Sequence, residues 1–117
     1  MKSGLVERIN VYAKAITEPN RMKILKILGS SQTDSMSVSK IAQMLHISQP
    51  AVSKHLQILS LCGFVTRKKI GNTVYYSVSR EAIEDFQTAM EHGFSVVWTP
   101  CQYDYDCENC PVAQTCQ

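Results

Sequence analysis

The run SKIAQMLHISQPAVSKHLQI, residues 39–58, constrains the fold more than any other stretch of this chain. Ile41, Ala42 and Leu45 recur at helical spacing behind Ser39, whose hydroxyl is placed to accept from the unpaired amides of a first helical turn. Ile47 then fills a turn. Ser48 repeats the capping role, and Pro50 sits just inside a second helix, where its missing N–H costs little. Val52, Leu56 and Leu59 form a buried stripe at i, i+4 and i+7 of that helix. The stripe leaves Gln49, Ala51, Ser53, Lys54 and His55, with Ser48 at the cap, facing outward near the N-terminal end. Two short amphipathic helices joined in this way form a helix-turn-helix. The side chains that open its second helix suit base edges or phosphates of duplex DNA.

The following residues strengthen that reading. FVTRKKI (residues 64–70) and TVYYSV (residues 73–78) are β-rich runs separated by Gly71-Asn72, a two-residue loop able to take positive φ. A hairpin after a helix-turn-helix is a wing, and Arg67, Lys68 and Lys69 give it the charge expected of an element lying along a phosphate backbone. The competing explanation is a solvated strand edge guarded by lysines.

With these motifs the chain resembles the ArsR/SmtB family of metal- and thiol-responsive repressors. The matching text is AITEPNRMKILKIL at residues 15–28 and SVSKIAQMLHISQPAVSKHLQILSLCGFVTRKKIGNTVYYSV at residues 37–78, about two thirds of the chain in family order. The resemblance implies an α+β, mainly helical winged helix-turn-helix that dimerises through its first and last helices. It also implies a homodimer that represses an operator in double-stranded DNA and releases it when an effector binds. It does not identify the effector.

A length of 117 residues with 44% hydrophobic content fits one domain with a modest core that oligomerisation would help. No stretch approaches the roughly 20 apolar residues of a membrane span. The opening MKSGLVERIN lacks the apolar segment of a signal peptide, so a cytoplasmic location without membrane contact is expected. The net charge of +2 hides a strong polarity. Residues 1–80 carry all 12 Lys and Arg against three acids, net +9, whereas residues 81–117 carry seven acids and no Lys or Arg, net −7. Such a distribution suits a basic reading head with a C-terminal part held off the phosphates, the alternative being ordinary surface variation.

Leu5, Ile9, Tyr12, Ala13 and Ile16 keep helical spacing through an opening helix, and Thr17-Glu18-Pro19 reads as its end and the cap of the next. Met22, Ile24, Leu25, Ile27 and Leu28 describe a second helix buried on much of its circumference, followed by a polar connector over residues 29–35. Ser79 can cap a final helix in which Ile83, Phe86, Met90, Phe94 and Val97 recur at steps of three and four. That stripe is longer than a winged-helix core requires. The surplus is either plain core or a dimer interface, and two-fold symmetry would double the few base pairs that one recognition helix reads. The division expected is residues 1–97 as the DNA-binding and dimerisation domain and residues 98–117 as a cysteine-rich tail.

That tail, CQYDYDCENCPVAQTCQ, holds Cys101, Cys107, Cys110 and Cys116 in a C-x5-C-x2-C-x5-C pattern. Two thiolates of a Cys-x-x-Cys pair reach one soft ion across a tight turn, and the outer two cysteines can fold back to complete four ligands. Three chemistries compete. The charge of a zinc ion would offset thiolates surrounded by Asp104, Asp106 and Glu108, acids that otherwise disfavour deprotonation. An iron–sulfur cluster also takes four cysteines, and Cys110-Pro111 echoes the Cys-Pro of ferredoxins, though the spacing matches no ferredoxin run. Regulatory disulfides are the third, beside a tail that is merely a disordered thiol-rich appendage.

The effector sites known in the family are missing. Where relatives carry Cys-Val-Cys this chain has Ser37-Val38-Ser39, hydroxyls that ligate soft metals poorly. The final helix lacks the Asp-x-His and His-x-x-Glu pattern of zinc sensors, and His92 stands alone there, as a surface or capping residue. Cys62, in LSLCGFV, reads as a small buried hydrophobe and a weaker candidate ligand. His46 reads as a helix-surface residue, and His55 as a phosphate contact.

The function expected is a non-enzymatic transcriptional repressor whose operator affinity follows metal, iron–sulfur or thiol redox chemistry at the tail, with a metal ion or oxidant as effector. The alternatives are a purely structural zinc clip, a winged helix that binds proteins instead of DNA, and a thiol oxidoreductase built on Cys107-Glu108-Asn109-Cys110. The last lacks the βαβ context that positions a catalytic Cys-x-x-Cys.

Overall fold

A computed structural model describes residues 4–33 and 35–116. The parts of the signal-peptide, connector and tail readings that fall on residues 1–3, Asp34 and Gln117 lie outside the described residues. The element order is α1 (Leu5–Ala15), α2 (Pro19–Ser30), β1 (Met36–Ser37), α3 (Val38–Leu45), α4 (Gln49–Leu61), β2 (Val65–Ile70), β3 (Thr73–Val78) and α5 (Arg80–Ser95). Two compact units emerge, one from Ala15–Ala82 and one from the described parts of Met1–Lys14 and Ile83–Gln117. The cysteine-rich segment beyond residue 97 thus groups with α1 and most of α5. Among the described residues no helix is long and apolar enough to cross a membrane.

The unit over Ala15–Ala82 is the winged helix-turn-helix. Its core is Ile24, Leu25 and Leu28 of α2, Ile41 and Ala42 of α3, Val52, Leu56 and Leu59 of α4, and Phe64 with Val65 at the entry to the wing. Full burial of side chains of this size contributes about 1.5–3 kcal/mol each. Met22, expected inside α2, is instead half exposed, because α2 buries one face and Met22 lies off it. Glu18 caps α2, its carboxylate accepting from the amides of Asn20 at 2.8 Å and Arg21 at 3.3 Å. The carboxylate also suits the positive end of a helix dipole.

The sheet has the order β1-β3-β2, both pairs antiparallel. Its hairpin closes Ile70 against Thr73 over Gly71-Asn72, with Gly71 at φ 61°. Positive φ at the first of two loop residues is the II′ pattern, which glycine takes without a steric penalty. The third strand, β1, is the addition that periodicity did not announce: two residues, pairing Met36 with Tyr76 and Ser37 with Tyr75. It shifts the start of α3. Chain held extended through Ser37 turns helical at once, so Ser37 and not Ser39 is the N-cap, accepting from Lys40 N at 3.3 Å.

In the other unit Leu5 and Ala89 are the fully buried apolar residues among those described. α1 and α5 meet where Tyr12 donates to the Asp85 carboxylate at 2.7 Å and stacks obliquely on Phe86 with ring centroids 5.3 Å apart. They approach so closely that a Cβ on Gly93 would lie 2.6 Å from Ile9 Cδ1. Beyond α5 the tail is a string of turns seated on α1: Leu5 N donates to Ala113 O at 2.7 Å, satisfying an amide that a first helical turn otherwise leaves open.

Candidate nucleic-acid interface and thiol cluster

Ser48 sets the reading helix. Its hydroxyl accepts from Ala51 N at 3.2 Å, Pro50 follows inside the first turn, and the chain arrives through a tight reversal at His46. His46 adopts a left-handed φ of 58° and its amide bonds to Ala42 O, so its role is to end α3. With Val52, Leu56 and Leu59 all inside, Gln49, Ser53 and Lys54 stand exposed along the start of α4 and Ala51 is half-buried beside them. His55 turns elsewhere. Its Nε2 lies 3.6 Å from the Glu18 carboxylate and its Nδ1 3.4 Å from an Arg21 guanidinium nitrogen. The same Glu18 that caps α2 therefore pairs with the reading helix, and Arg21 is held in turn by Ala15 O at 2.6 Å. Sequence reasoning missed this cluster, and a lone His four positions from Ala51 carries no signal of its partner.

The wing presents Arg67, Lys68 and Lys69 exposed on β2, opposite Tyr76, Tyr75 and Val74 of β3. Alternation along a strand places Arg67 and Lys69 on one face and Lys68 on the other. Val65 at the base of the strand is buried, which anchors the cationic stretch to the core.

The five cysteines carry free thiols. Cys101, Cys107, Cys110 and Cys116 all line one cavity of about 690 Å³, together with Asn10 and Lys14 of α1. Asp104 and Tyr105 both take left-handed φ, 54° and 61°, which folds the chain back before Cys107. Cys107 and Cys110 end a hydrogen-bonded turn, Cys110 N to Cys107 O at 3.4 Å. The Cys116 thiol is pushed above the ordinary thiol range, first by burial and then by the negative charge of Cys107, Cys101 and Cys110 nearby. Among the described residues no group of three His, Cys, Asp or Glu side chains is already set to hold a metal ion. Cys62 belongs to the other unit. It ends α4, donates to Leu59 O at 3.3 Å and has its thiol raised by burial, the environment of an inert structural cysteine. His92 is not alone: its Nε2 meets Thr115 O, tying α5 to the tail.

Residues 18–67 match the family described as bacterial regulatory protein, arsR family. Over 76 residues the chain is 36% identical to the transcriptional repressor SdpR of Bacillus subtilis, covering 65% of this chain and 80% of that protein. The chain belongs to the arsR family. An ArsR-like transcriptional regulator from Rhodococcus sp. RHA1 superposes with a TM-score of 0.68 at 26% identity, over 77% of this chain and 82% of that one. A homodimeric winged helix-turn-helix DNA-binding domain from Mycobacterium bovis shares the fold with a TM-score of 0.62 at 22% identity, over 78% of this chain and 82% of that one. Membership makes this chain a winged helix-turn-helix regulator and not an enzyme, so the oxidoreductase reading of Cys107 and Cys110 is set aside. The arsR match stops at residue 67, ahead of α5 and all four tail thiols.

Proposed function

We propose that the chain represses transcription by binding operator DNA as a homodimer, and that ligation or oxidation of the tail thiols sets its operator affinity. Gln49, Ser53 and Lys54 enter the major groove with Ser48 and Ala51 at the helix start, while Arg67, Lys68 and Lys69 lie along phosphates. His55 braces α4 against α2 through Glu18. The dimer uses α1 and α5, supported by apolar side chains left outside in their unit: Val6, Val11, Phe94 and Val97 are 43%, 47%, 64% and 61% exposed.

The observation that carries the sensing half is that the four tail thiols share one cavity with α1 residues, so chemistry on them acts on a helix of the proposed interface. The test is titration of a labelled operator duplex with the reduced chain at several salt concentrations. Changing Lys68 and Lys69 together to Ala should weaken binding to every duplex and lower the salt slope by roughly 0.9 for each phosphate no longer neutralised. Changing Gln49 to Ala should instead relax preference among operators. An unchanged slope in the double lysine variant removes the wing from the interface.

A further inference from the structure

Deepening that reading, and resting on it only for the consequence at the operator, we propose that Cys101, Cys107, Cys110 and Cys116 are the four ligands of one divalent metal ion of the zinc class, whose binding clamps the tail onto α1 and α5. The four thiols line the same cavity yet arrive from three separately anchored turns. The central pair is fixed by Asp106, whose carboxylate accepts from Asn109 N at 3.4 Å and Asn109 Nδ2 at 2.8 Å, pinning the two residues between Cys107 and Cys110. Such a turn is the geometry by which a Cys-x-x-Cys pair gives two thiolates to one ion. Cys101 Sγ accepts from Tyr103 N at 3.3 Å, an amide–sulfur contact of the kind that orients a ligating thiolate.

The segment that carries the fourth thiol is fastened to both helices. Cys116 N donates to Val112 O at 2.7 Å, the adjoining Ala113 O accepts from Leu5 N at the start of α1, and the neighbouring Thr115 O meets His92 of α5. Closing the Cys101–Cys116 loop on an ion therefore locks a segment already bonded to α1 and α5. Among the described residues the donors do not yet meet at a point, so the proposal has the four thiols converge as the ion binds. One tetrahedral ion takes all four sulfurs at a single centre and needs no oxidant, whereas two disulfides would each require a two-electron oxidant. Asp104, Asp106 and Glu108 add negative charge that draws a cation to the tail. Ligation converts each protonated thiol to thiolate and releases its proton to solvent.

The test uses the reduced full chain under anaerobic conditions, with Co2+ as the optical probe and Zn2+ as competitor. One equivalent of Co2+ per chain should give thiolate-to-cobalt charge transfer and the absorption of a tetrahedral ion, both erased by Zn2+. In the wild-type chain, Zn2+ should protect Cys101, Cys107, Cys110 and Cys116 from alkylation and leave Cys62 unprotected. Asp106→Ala should weaken zinc binding roughly 10- to 100-fold with the cobalt spectrum retained, as for a residue that positions ligands. Cobalt bound without thiolate charge transfer, protection of only two tail thiols, or iron and sulfide in place of a single ion would overturn the proposal. Operator binding measured on the same samples separates the two claims. Four-thiol ligation with no change in operator affinity keeps the metal site and defeats thiol control, while an oxidation response without metal binding does the reverse.

Discussion

The two units of this chain are built on opposite terms. Eleven of the thirteen buried apolar residues among those described lie in Ala15–Ala82, and the other unit has Leu5 and Ala89. The winged helix-turn-helix thus has its own hydrophobic core and displays polar and cationic side chains at α4 and β2. The α1–α5 unit leaves Phe94, Val97, Trp98 and Tyr105 more than half exposed and gathers four thiols instead. On the proposed reading, a partner subunit and a metal ion both add stability to a unit with so little interior of its own. Dependence on an outside source is what a sensor needs. The proposed division gives the constant function, DNA binding, to the unit with its own core and the conditional one to the other.

The largest effect should come from the dense unit. Phe64 is 1% exposed, and Phe64→Ala should cost about 3–5 kcal/mol in chemical denaturation, a large share of a domain's stability. Phe94→Ala, at an exposed site, should stay within about 0.5 kcal/mol for a dilute monomer. Equal losses at the two sites would erase the contrast.

A smaller effect sharpens the dimer proposal. Phe94→Glu should be tolerated within one chain, because the side chain is 64% exposed, yet weaken self-association by about 2 kcal/mol, roughly 30-fold. Sedimentation that finds the same dimer constant as wild type would move the interface away from α5.

The smallest effect is a pH dependence. Burial and three neighbouring thiols raise the Cys116 pKa in the folded chain. Its contribution to stability is therefore fully present below the ordinary thiol pKa, about 8.5, and is lost as pH rises through the raised value. In the metal-free reduced protein, protection factors of the α1 and tail amides, taken relative to the base-catalysed intrinsic exchange rate, should fall above that pH while those of α4 hold. Protection that falls equally in α4 would show a global effect unrelated to the tail.

The parts of this architecture that were legible beforehand are those with local causes. The stripe of Val52, Leu56 and Leu59, the caps at Ser48 and Ser79, and the Gly71-Asn72 hairpin all rest on residues within a few positions of one another. The features that escaped depend on pairings made far along the chain. β1 has only two residues and exists because Tyr75 and Tyr76 pair with it, and its presence moved the α3 cap from Ser39 to Ser37. His55 looked outward on helical periodicity because nothing near it in sequence reveals Glu18. The tail cysteines were visible as a spacing, but their seat on α1 through Ala113 and Leu5 spans more than a hundred residues.

The central claim is that the tail thiols govern the reading head, and operator affinity measured through a zinc-and-chelator cycle tests it most directly. With fluorescence anisotropy at fixed salt, the reduced wild-type chain should change its operator affinity between about 5- and 150-fold on zinc loading, a coupling of about 1–3 kcal/mol, and return when zinc is removed. The Cys107→Ser, Cys110→Ser double variant should bind the operator at one constant affinity throughout. A wild-type chain whose affinity is the same with zinc, with chelator and after oxidation, or a double variant that still cycles, would contradict control by these thiols.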